Sequence, residues 1–436
     1  MELPNIVYIH SHDVGRYVQP YGHAVDTPNI QALAEEGVLF RQAFCAGPTC
    51  SPSRAALLTG QSPHSSGMLG LAHRGFSLND YHQHIVHTLA EAGYTSALSG
   101  FQHLARLPFA SPSHIGYDQI ICHNLDSASV TQSACKYLRT PPTKPFFLSA
   151  GFVETHRPFT SEEPADDPRY TLPPAGIPDT PETRQDMADF KTPARQFDRS
   201  LGEIVKAIDK AGIAKQTLII CTTDHGLAFP GMKCTLTDQG IGVMLIMRGP
   251  GGFSGGKVID AMVSQIDVFP TICNLLDIDP PSWLQGNSIL PLITGKAKSI
   301  DEEVFAEITY HAAYDPQRAV RTSRWKYIKR FDDRRKPLMV NCDDGPSKDV
   351  WMEAGWQGHT VDKEQLYDLL FDPGEGRNLA DNPAFHAQLL DMRGRLDSWM
   401  RKTNDPLLEG PVAPPPGATV NAPDATSANE PPEILQ

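Results

Sequence analysis

The chain has 436 residues, of which 40% are hydrophobic, 20% charged and 8% aromatic, and its 38 basic and 51 acidic residues give a net charge of -13. This composition is typical of a globular protein of two or three folding units and excludes a disordered, collagen-like or fibrous chain. The acidic balance argues against nucleic acid or anionic lipid surfaces as partners, so an anionic substrate would need cations supplied locally.

Short β-branched runs alternate with helical patterns up to about residue 300. Strands are expected at residues 5–9, 38–44, 94–99, 146–152 and 218–222, and helices at 27–37, 83–92, 130–138 and 193–211. Such alternation predicts an α/β domain with a mostly parallel, doubly wound sheet that is covered by helices on both faces. In sheets of this kind, functional residues gather at the carboxyl ends of the strands.

The alternation of strands and helices ends at about residue 300. Three short neighbouring strands and one amphipathic helix predict a smaller α+β C-terminal subdomain, at residues 304–309, 319–322, 325–329 and 383–402. From Pro411 onward the chain has seven prolines and no Lys or Arg, which indicates a flexible tail. We therefore expect three regions: an α/β domain over residues 1–305, the subdomain over 306–405 and the Pro-rich tail over 406–436.

Three further features set the expected environment of the chain. No apolar run approaches the roughly 20 residues of a membrane helix, and the segment from Met1 to Ile9 has no basic region followed by a cleavable apolar stretch. The eight cysteines form no CxxC pair, so neither a zinc ribbon nor a disulfide framework is indicated. We expect a soluble, cytoplasmic protein.

The most informative segment is GPTCSPSRAALLTG at residues 47–60. Cys50 lies where a loop enters a helix, so its side chain is near backbone N–H donors and the positive helix end, with Arg54 about one turn further on. This arrangement predicts an anion site with a reactive side chain. The alternative is a buried structural cysteine and a surface arginine, the usual roles of single residues of these types.

Metal-ligating residue types follow two of the predicted strands. Asp13 follows the first strand, and Asp224 and His225 follow the strand at 218–222. Oxygen and imidazole donors can therefore converge on one divalent cation at the strand ends. A capping aspartate and a turn histidine are the alternative for each piece alone.

Residues 48–60 resemble the first signature of the formylglycine-dependent sulfatases, in the alkaline phosphatase superfamily. In that family the cysteine of C-x-P-S-R is oxidised to an aldehyde by a separate maturation enzyme. Residues 93–103, GYTSALSGFQH, look like the second signature, and the resemblance extends from Pro4 to about Leu379. It implies an alkaline-phosphatase-like fold and formylglycine at position 50.

The resemblance also implies a metal site. The family usually holds calcium with two consecutive aspartates after the first strand, the formylglycine and a late Asp-Asn or Asp-His pair. The matching positions here are His12, Asp13, Cys50, Asp224 and His225. Because imidazole suits manganese or zinc better than calcium, His12 makes those ions alternatives to calcium, unless it turns away from the site.

Four other residues match catalytic positions of the family. Arg54 would brace the aldehyde hydrate, and Lys233 would neutralise charge on the transferred group. His156 would protonate the departing alcohol, and His103 would take a proton from residue 50 in the second step. Surface or loop roles are the alternatives for Lys233 and His156.

One position departs from the family pattern. Phe101 stands where the family usually has a lysine, which removes a sulfate-side cation; Arg74 or Arg106 could supply it. The expected activity is hydrolysis of aryl or carbohydrate sulfate esters, by an enzyme that is matured by another protein. Phosphonate monoester or phosphodiester hydrolysis and a non-catalytic binding role are the alternatives. A homo-oligomer, in which the tail contacts a partner subunit, is a further expectation.

Overall fold

The computed structural model describes residues 3–105, 112–159 and 165–434. Its strands are β1 (Asn5–His10), β2 (Val38–Phe44), β3 (Thr95–Gly100), β4 (Gln119–Cys122), β5 (Phe146–Gly151), β6 (Thr217–Thr222), β7 (Gly242–Val243), β8 (Leu245–Arg248), β9 (Lys257–Ser264), β10 (Glu303–Tyr310), β11 (Tyr314–Thr322), β12 (Trp325–Arg330), β13 (Glu364–Asp368), β14 (Thr419–Val420) and β15 (Glu433–Ile434). Its α-helices are α1 (Pro28–Glu36), α2 (Cys50–Thr59), α3 (Pro63–Ser66), α4 (Ile85–Glu91), α5 (Pro112–Ile115), α6 (Ser127–Arg139), α7 (Pro181–Lys210), α8 (Asp238–Ile241), α9 (Val268–Leu276), α10 (Leu290–Ile293), α11 (Pro346–Glu353) and α12 (His386–Lys402).

A nine-stranded sheet forms the centre of the larger part, in the order β4-β3-β5-β1-β6-β8-β2-β7, with β9 beside β2. The strands from β4 to β6 are parallel, and Ile6 of β1 lies opposite Phe147 of β5 and Leu218 of β6. These strands read as nearly continuous apolar runs because both faces of the sheet are covered. The predicted mostly parallel sheet is confirmed.

Helices cover both faces, as a doubly wound sheet requires. Val7 and Ile9 of β1 point into a core shared with α1, α6 and α7, whereas Ile6 and Tyr8 point into a core shared with α2, α4 and α9. Alternate residues of one strand therefore contact helices on opposite sides. No helix in the three described ranges is long and apolar enough to cross a membrane.

The structure differs from the expected fold on one side of the sheet, at an interior strand. Strand β8 runs antiparallel to both β6 and β2. The segment between β6 and β8 contains the four-residue helix α8 and the two-residue strand β7, so no long helix returns the chain for a parallel pairing.

The start predicted for the long helix at residue 193 is also wrong, because α7 begins at Pro181. Pro193 lies within the helix, and Thr180 caps the true start by accepting from the backbone N–H of Thr183. Proline is favoured at the first helical position, which is why Pro193 suggested a start. In α7 the first helical position is held by Pro181, which directly follows the capping residue Thr180.

The C-terminal part is an antiparallel sheet in the order β10-β11-β12-β13, covered by α12. Leu396 and Met400 of α12 pack on Val320, Tyr327 and Leu366 of the sheet. This matches the expected α+β subdomain, while the exact domain boundaries stay a prediction.

The structure corrects the expectation of a free tail after Pro411. Ala418 and Asn421 are buried, and β14 pairs with β15. The backbone N–H of Asn421 donates to the carbonyl of Ala312 at 2.8 Å. Proline-rich composition suggested a segment with little to bury, but the tail is fixed by hydrogen bonds to other parts of the chain and by the burial of Ala418 and Ala425, which composition does not reveal.

Candidate active site

Three elements bring the predicted site residues together at the carboxyl edge of the central sheet. Strands β1 and β6 are parallel neighbours, with His10 opposite Thr222, so the loops that follow them meet. The first loop carries His12 and Asp13, and the second carries Asp224 and His225. Helix α2 begins at residue 50 beside both loops, so Cys50 faces them.

Carboxylate and imidazole groups form a buried donor cluster. One ligand atom from each of His12, Asp13, Cys50 and Asp224 lies within 4.8 Å of the others. Nε2 of His225 lies 3.3 Å from Oδ1 of Asp13 and 3.5 Å from Sγ of Cys50. Its Nδ1 donates to the Gly226 carbonyl at 3.0 Å, which leaves Nε2 to face the cluster.

The donor set fits a divalent cation. Oδ1 of Asp13 is buried and has no hydrogen-bond partner among the residues that the structure describes. His12 turns toward the cluster, with Nδ1 2.9 Å from Oδ2 of Asp224. Two carboxylates and two imidazoles could therefore share one ion.

The electrostatics of the cluster show how strongly these groups interact. Burial alone would lower the pKa of His12 and of His225, but the facing carboxylates raise them to about 10 and about 9. Burial would raise the pKa of Asp13, but the charges of Lys233 and His225 hold it well below the usual range. Burial would also raise the pKa of Asp224, but the charges of His225, His12 and Arg54 hold it low. A bound cation would take the place of these protons.

Arg54 is buried and contacts the Asp224 carboxylate of the cluster, so the surface-arginine alternative is wrong. Its Nη2 lies 2.9 Å from Oδ2 of Asp224 and donates to the Ser11 carbonyl at 2.7 Å, while Nη1 lies 2.5 Å from Nδ1 of His10. Burial and the Arg54 charge hold the pKa of His10 well below its usual range. Neutral His10 therefore accepts from Arg54.

Lys233 is also buried, which contradicts the surface-lysine alternative. Its Nζ lies 3.0 Å from Oδ2 of Asp13 and 2.8 Å from Oδ2 of Asp343. Burial would lower the pKa of Lys233, but the two carboxylates raise it well above its usual range. Burial would likewise raise the pKa of the Cys50 thiol, yet Lys233 and hydrogen bonds from His103, His12 and His225 hold it far below.

The two remaining predicted histidines lie on the open side. His103 is within hydrogen-bond reach of residue 50, and its Nε2 is 2.9 Å from Nδ1 of His73. The ring of His156 lies 5.2 Å from that of His12, and its Nδ1 donates to the Arg157 carbonyl at 2.6 Å. Nε2 of His156 is therefore the nitrogen left for a substrate.

Phe101 lies among the site histidines where a lysine was expected. Its ring centroid is 4.6 Å from that of His12 and 5.1 Å from that of His103. Arg74 does not stand in as the missing cation, because it donates to Asn421 Oδ1 at 2.7 Å. Arg106 lies outside the described residues.

Three residues at the site were missed in the sequence. His73 is hydrogen-bonded to His103, and Asp343 pairs with Lys233. Burial and the charge of Lys233 lower the pKa of His311 to about 3. His73 and His311 lie in or beside loops whose shapes the sequence does not define, and no motif marks Asp343.

The chain is similar to known proteins along most of its length. The profile of the sulfatase family matches residues 4–278, and a profile described as N-sulphoglucosamine sulphohydrolase, C-terminal, matches residues 231–350. N-sulphoglucosamine sulphohydrolase of Homo sapiens is 29% identical over 454 residues, which cover 89% of this chain and 88% of the relative. An ulvan-active sulfatase of Formosa agariphila is 28% identical over 438 residues, which cover 95% of this chain and 83% of the relative.

Solved structures share the fold. A 2-O GAG sulfatase matches with a TM-score of 0.75 and 22% identity, covering 95% of this chain and 96% of the other. Phosphonate monoester hydrolase of Agrobacterium radiobacter matches with a TM-score of 0.71 and 19% identity, covering 99% and 100%. Fold and site together define a hydrolase of the alkaline phosphatase superfamily.

The family match then narrows this class. The chain belongs to the sulfatase family, and it is an enzyme that hydrolyses sulfuric esters.

Proposed function

We propose that this sulfatase works through formylglycine made from Cys50 by a separate oxidising maturation enzyme. The observation that carries the proposal is the position of Cys50: first residue of α2, buried, and within the donor cluster of His12, Asp13 and Asp224. A hydrated aldehyde here would supply a nucleophilic hydroxyl close to residues that can bind an anion.

The residues that would hold a divalent cation are His12, Asp13, Asp224 and His225, together with residue 50. When bound, the cation would lower the pKa of the attacking hydroxyl and offset negative charge on the transferred group. Calcium is the family expectation. The two imidazoles support manganese or zinc as the alternatives, because calcium prefers oxygen ligands.

The protein residues around this centre have separate tasks in the proposed mechanism. Lys233 supplies positive charge where charge develops on sulfate oxygens, and Arg54 holds Asp224 in place. His156, whose Nε2 has no hydrogen-bond partner among the described residues, donates a proton to the departing alcohol oxygen. His103, in reach of residue 50 and bonded to His73, takes the proton that must leave before sulfate is released.

We propose carbohydrate sulfates as the substrate class. The relatives that support this are named for activity on N-sulphoglucosamine and on ulvan. All eight cysteines are unpaired, which supports a reducing compartment, and we propose the cytoplasm.

A second candidate activity is hydrolysis of phosphonate monoesters. It is supported by the imidazoles of His12 and His225, and by the uncharged ring of Phe101 where a sulfate-side lysine is usual. A histidine-rich metal site with fewer fixed cations suits a range of anionic esters.

The deciding experiment measures kcat/KM for an aryl sulfate and the matching aryl phosphonate monoester. It uses aldehyde-matured enzyme, with Cys50→Ala as the blank. Preference for the sulfate supports the proposal, and preference for the phosphonate supports the second candidate. Intact mass of the peptide spanning Cys50, isolated from the native host, tests maturation, and an unmodified thiol there would support the non-catalytic role.

A further inference from the structure

The hydrogen bond between His73 and His103 joins a residue outside the predicted catalytic set to one inside it. Nδ1 of His73 lies 2.9 Å from Nε2 of His103. The ring planes differ by only 10°, and the ring centroids are 5.1 Å apart, so the rings meet edge to edge rather than face to face. Because an imidazole nitrogen carries its proton or its lone pair in the ring plane, this is a well-aligned hydrogen bond.

The hydrogen bond indicates which nitrogen of His103 carries the proton. Nδ1 of His103 is buried and has no hydrogen-bond partner among the residues that the structure describes. A proton on Nδ1 would leave a buried donor without an acceptor, whereas a proton on Nε2 is donated to His73. The Nε2–H tautomer is therefore favoured, and it leaves a lone pair on Nδ1. Nδ1 is then the nitrogen that remains for residue 50, which lies within hydrogen-bond reach of the ring.

His73 can accept this hydrogen bond because its own ring is neutral. Partial burial, followed by the neighbouring His103 ring, lowers the pKa of His73 to about 4. The residue is also exposed at the surface, so water can accept from its Nε2–H. Nδ1 of His73 is then free of a proton and acts as the acceptor.

The chain on both sides of His73 is anchored. The residue lies in a short 3-10 helix over Ala72–Arg74. The backbone N–H of Ala72 donates to Oγ of Ser51 at 3.0 Å, and Ser51 directly follows the nucleophile position in α2. On the other side, Nη1 of Arg74 donates to Oδ1 of Asn421 at 2.7 Å. His73 is therefore held at a fixed place relative to the start of α2.

The orientation of the His103 ring depends on this contact. Phe101 lies beside the ring, with centroids 5.1 Å apart, but its apolar ring offers no acceptor for Nε2–H. The torsion that rotates a histidine ring has two broad preferred states, which differ by a half-turn. A half-turn would put a carbon atom in the place of Nε2 and break the hydrogen bond to His73. The bond therefore selects one of the two ring orientations.

We propose that His73 is a positioning residue, which accepts the Nε2 proton of His103 and thereby fixes the tautomer and the ring orientation that direct Nδ1 at residue 50. This inference rests on the proposed mechanism, in which His103 takes the proton that leaves before sulfate is released. In this role His73 acts through His103 and not on the substrate. Its loss should slow the release of sulfate but not the departure of the alcohol, which depends on His156.

The first test uses the unmatured protein, in which residue 50 is still cysteine. Long-range proton–nitrogen NMR spectra of labelled histidines distinguish the two neutral tautomers, and His103→Gln identifies the His103 signals. We expect the Nε2–H form in the wild type and in His73→Asn, whose Oδ1 can replace Nδ1 as the acceptor. His73→Phe keeps a planar ring without an acceptor and should show both tautomers. An Nδ1–H form in the wild type, or an unchanged Nε2–H form in His73→Phe, would overturn the proposal.

The second test measures kcat and kcat/KM of the aldehyde-matured enzyme for an aryl sulfate with a good leaving group. The ratio kcat/KM reports on the steps up to departure of the alcohol, whereas kcat also includes the release of sulfate. His73→Phe should lower kcat at least about tenfold and keep kcat/KM within about twofold of the wild type, with a burst of phenol before slow turnover. His73→Asn should recover most of the lost kcat. His359→Phe, the same replacement at an exposed histidine, should change neither parameter.

A merely structural role has a different kinetic result. Equal losses of kcat and kcat/KM in His73→Phe would overturn the proposal, and so would a His73→Asn variant that is no better than His73→Phe. Thermal melting shows whether each variant folds, and His73→Ala takes the place of His73→Phe if the latter does not.

Failure of the underlying mechanism can be distinguished from failure of this inference. A Cys50→Ala variant as active as the aldehyde-matured wild type would contradict the mechanism. The NMR spectra need neither the aldehyde nor a substrate, so they would still show whether His73 fixes the tautomer of His103.

Discussion

At the scale of single residues, the proposed reaction depends on Cys50, because only residue 50 supplies the nucleophile. We predict that Cys50→Ala lowers kcat at least about 1,000-fold, because the nucleophile is lost. The fold should persist, since the side chain is small and α2 retains its core contacts. Steady-state kinetics and thermal melting check both parts. Cys273→Ala, at a buried cysteine in α9, is the matched control, and a tenth of wild-type activity in Cys50→Ala would contradict the mechanism.

His12 carries the second residue-scale prediction. A carboxylate in its place would add oxygen donors to the cluster, so His12→Asp should shift metal preference toward calcium. Metal content after dialysis against equal calcium and manganese, together with the rise in Tm caused by each ion, measures this preference. His359→Asp makes the same change at an exposed position. Identical ion preference in wild type and His12→Asp would mean that His12 is not a ligand.

At the scale of elements, much of the site could be predicted because strand ends in a parallel sheet meet at one edge. Asp13 and Asp224 follow adjacent parallel strands, so their proximity follows from topology. His73, His311 and Asp343 could not be predicted, because long-range packing brings them to the site. The tail was misjudged for the same reason, since its hydrogen bonds lead to residues hundreds of positions away, such as Arg74.

Helix α4 offers a prediction about pH. His84 precedes it and accepts from the Val86 N–H through Nδ1; burial, with a smaller effect of His87, lowers the pKa of His84 to about 3. The unfolded chain takes up this proton near pH 6.5 and the folded chain does not. Stability is therefore full above pH 6.5 and falls toward pH 3, with a loss of about 2 kcal/mol at pH 5.

The matched variant is His84→Asn, because asparagine also caps helices but does not titrate. Its Tm should fall less than that of the wild type between pH 7.5 and pH 5, whatever its starting value at pH 7.5. His114→Asn, in the short helix α5, controls for loss of a histidine elsewhere. Parallel Tm curves for wild type and His84→Asn would contradict the assigned pKa.

At the scale of the whole molecule, a buried ionic network joins helix α3 of the larger part to the C-terminal sheet. His64 of α3 lies 2.5 Å from Oε2 of Glu307 in β10, and Arg318 of β11 lies 2.5 Å from Oδ2 of Asp405. Ligand atoms of His64, Glu307 and Asp405 lie within 4.8 Å of one another, a spacing that would fit a cation. However, the Arg318 guanidinium, 3.4 Å from Glu307, already supplies the positive charge.

The network therefore acts as a structural connection, and removing its cation should be costly. Arg318→Met leaves two buried carboxylates with only His64 to offset them, so we expect a loss of about 3–5 kcal/mol. Because the network contacts both α3 and the C-terminal sheet, faster hydrogen exchange should appear in α3 as well as in β11. Arg401→Met, at an exposed position of α12, should change neither measurement. Destabilisation confined to the C-terminal sheet would show that α3 is held against it by other contacts instead.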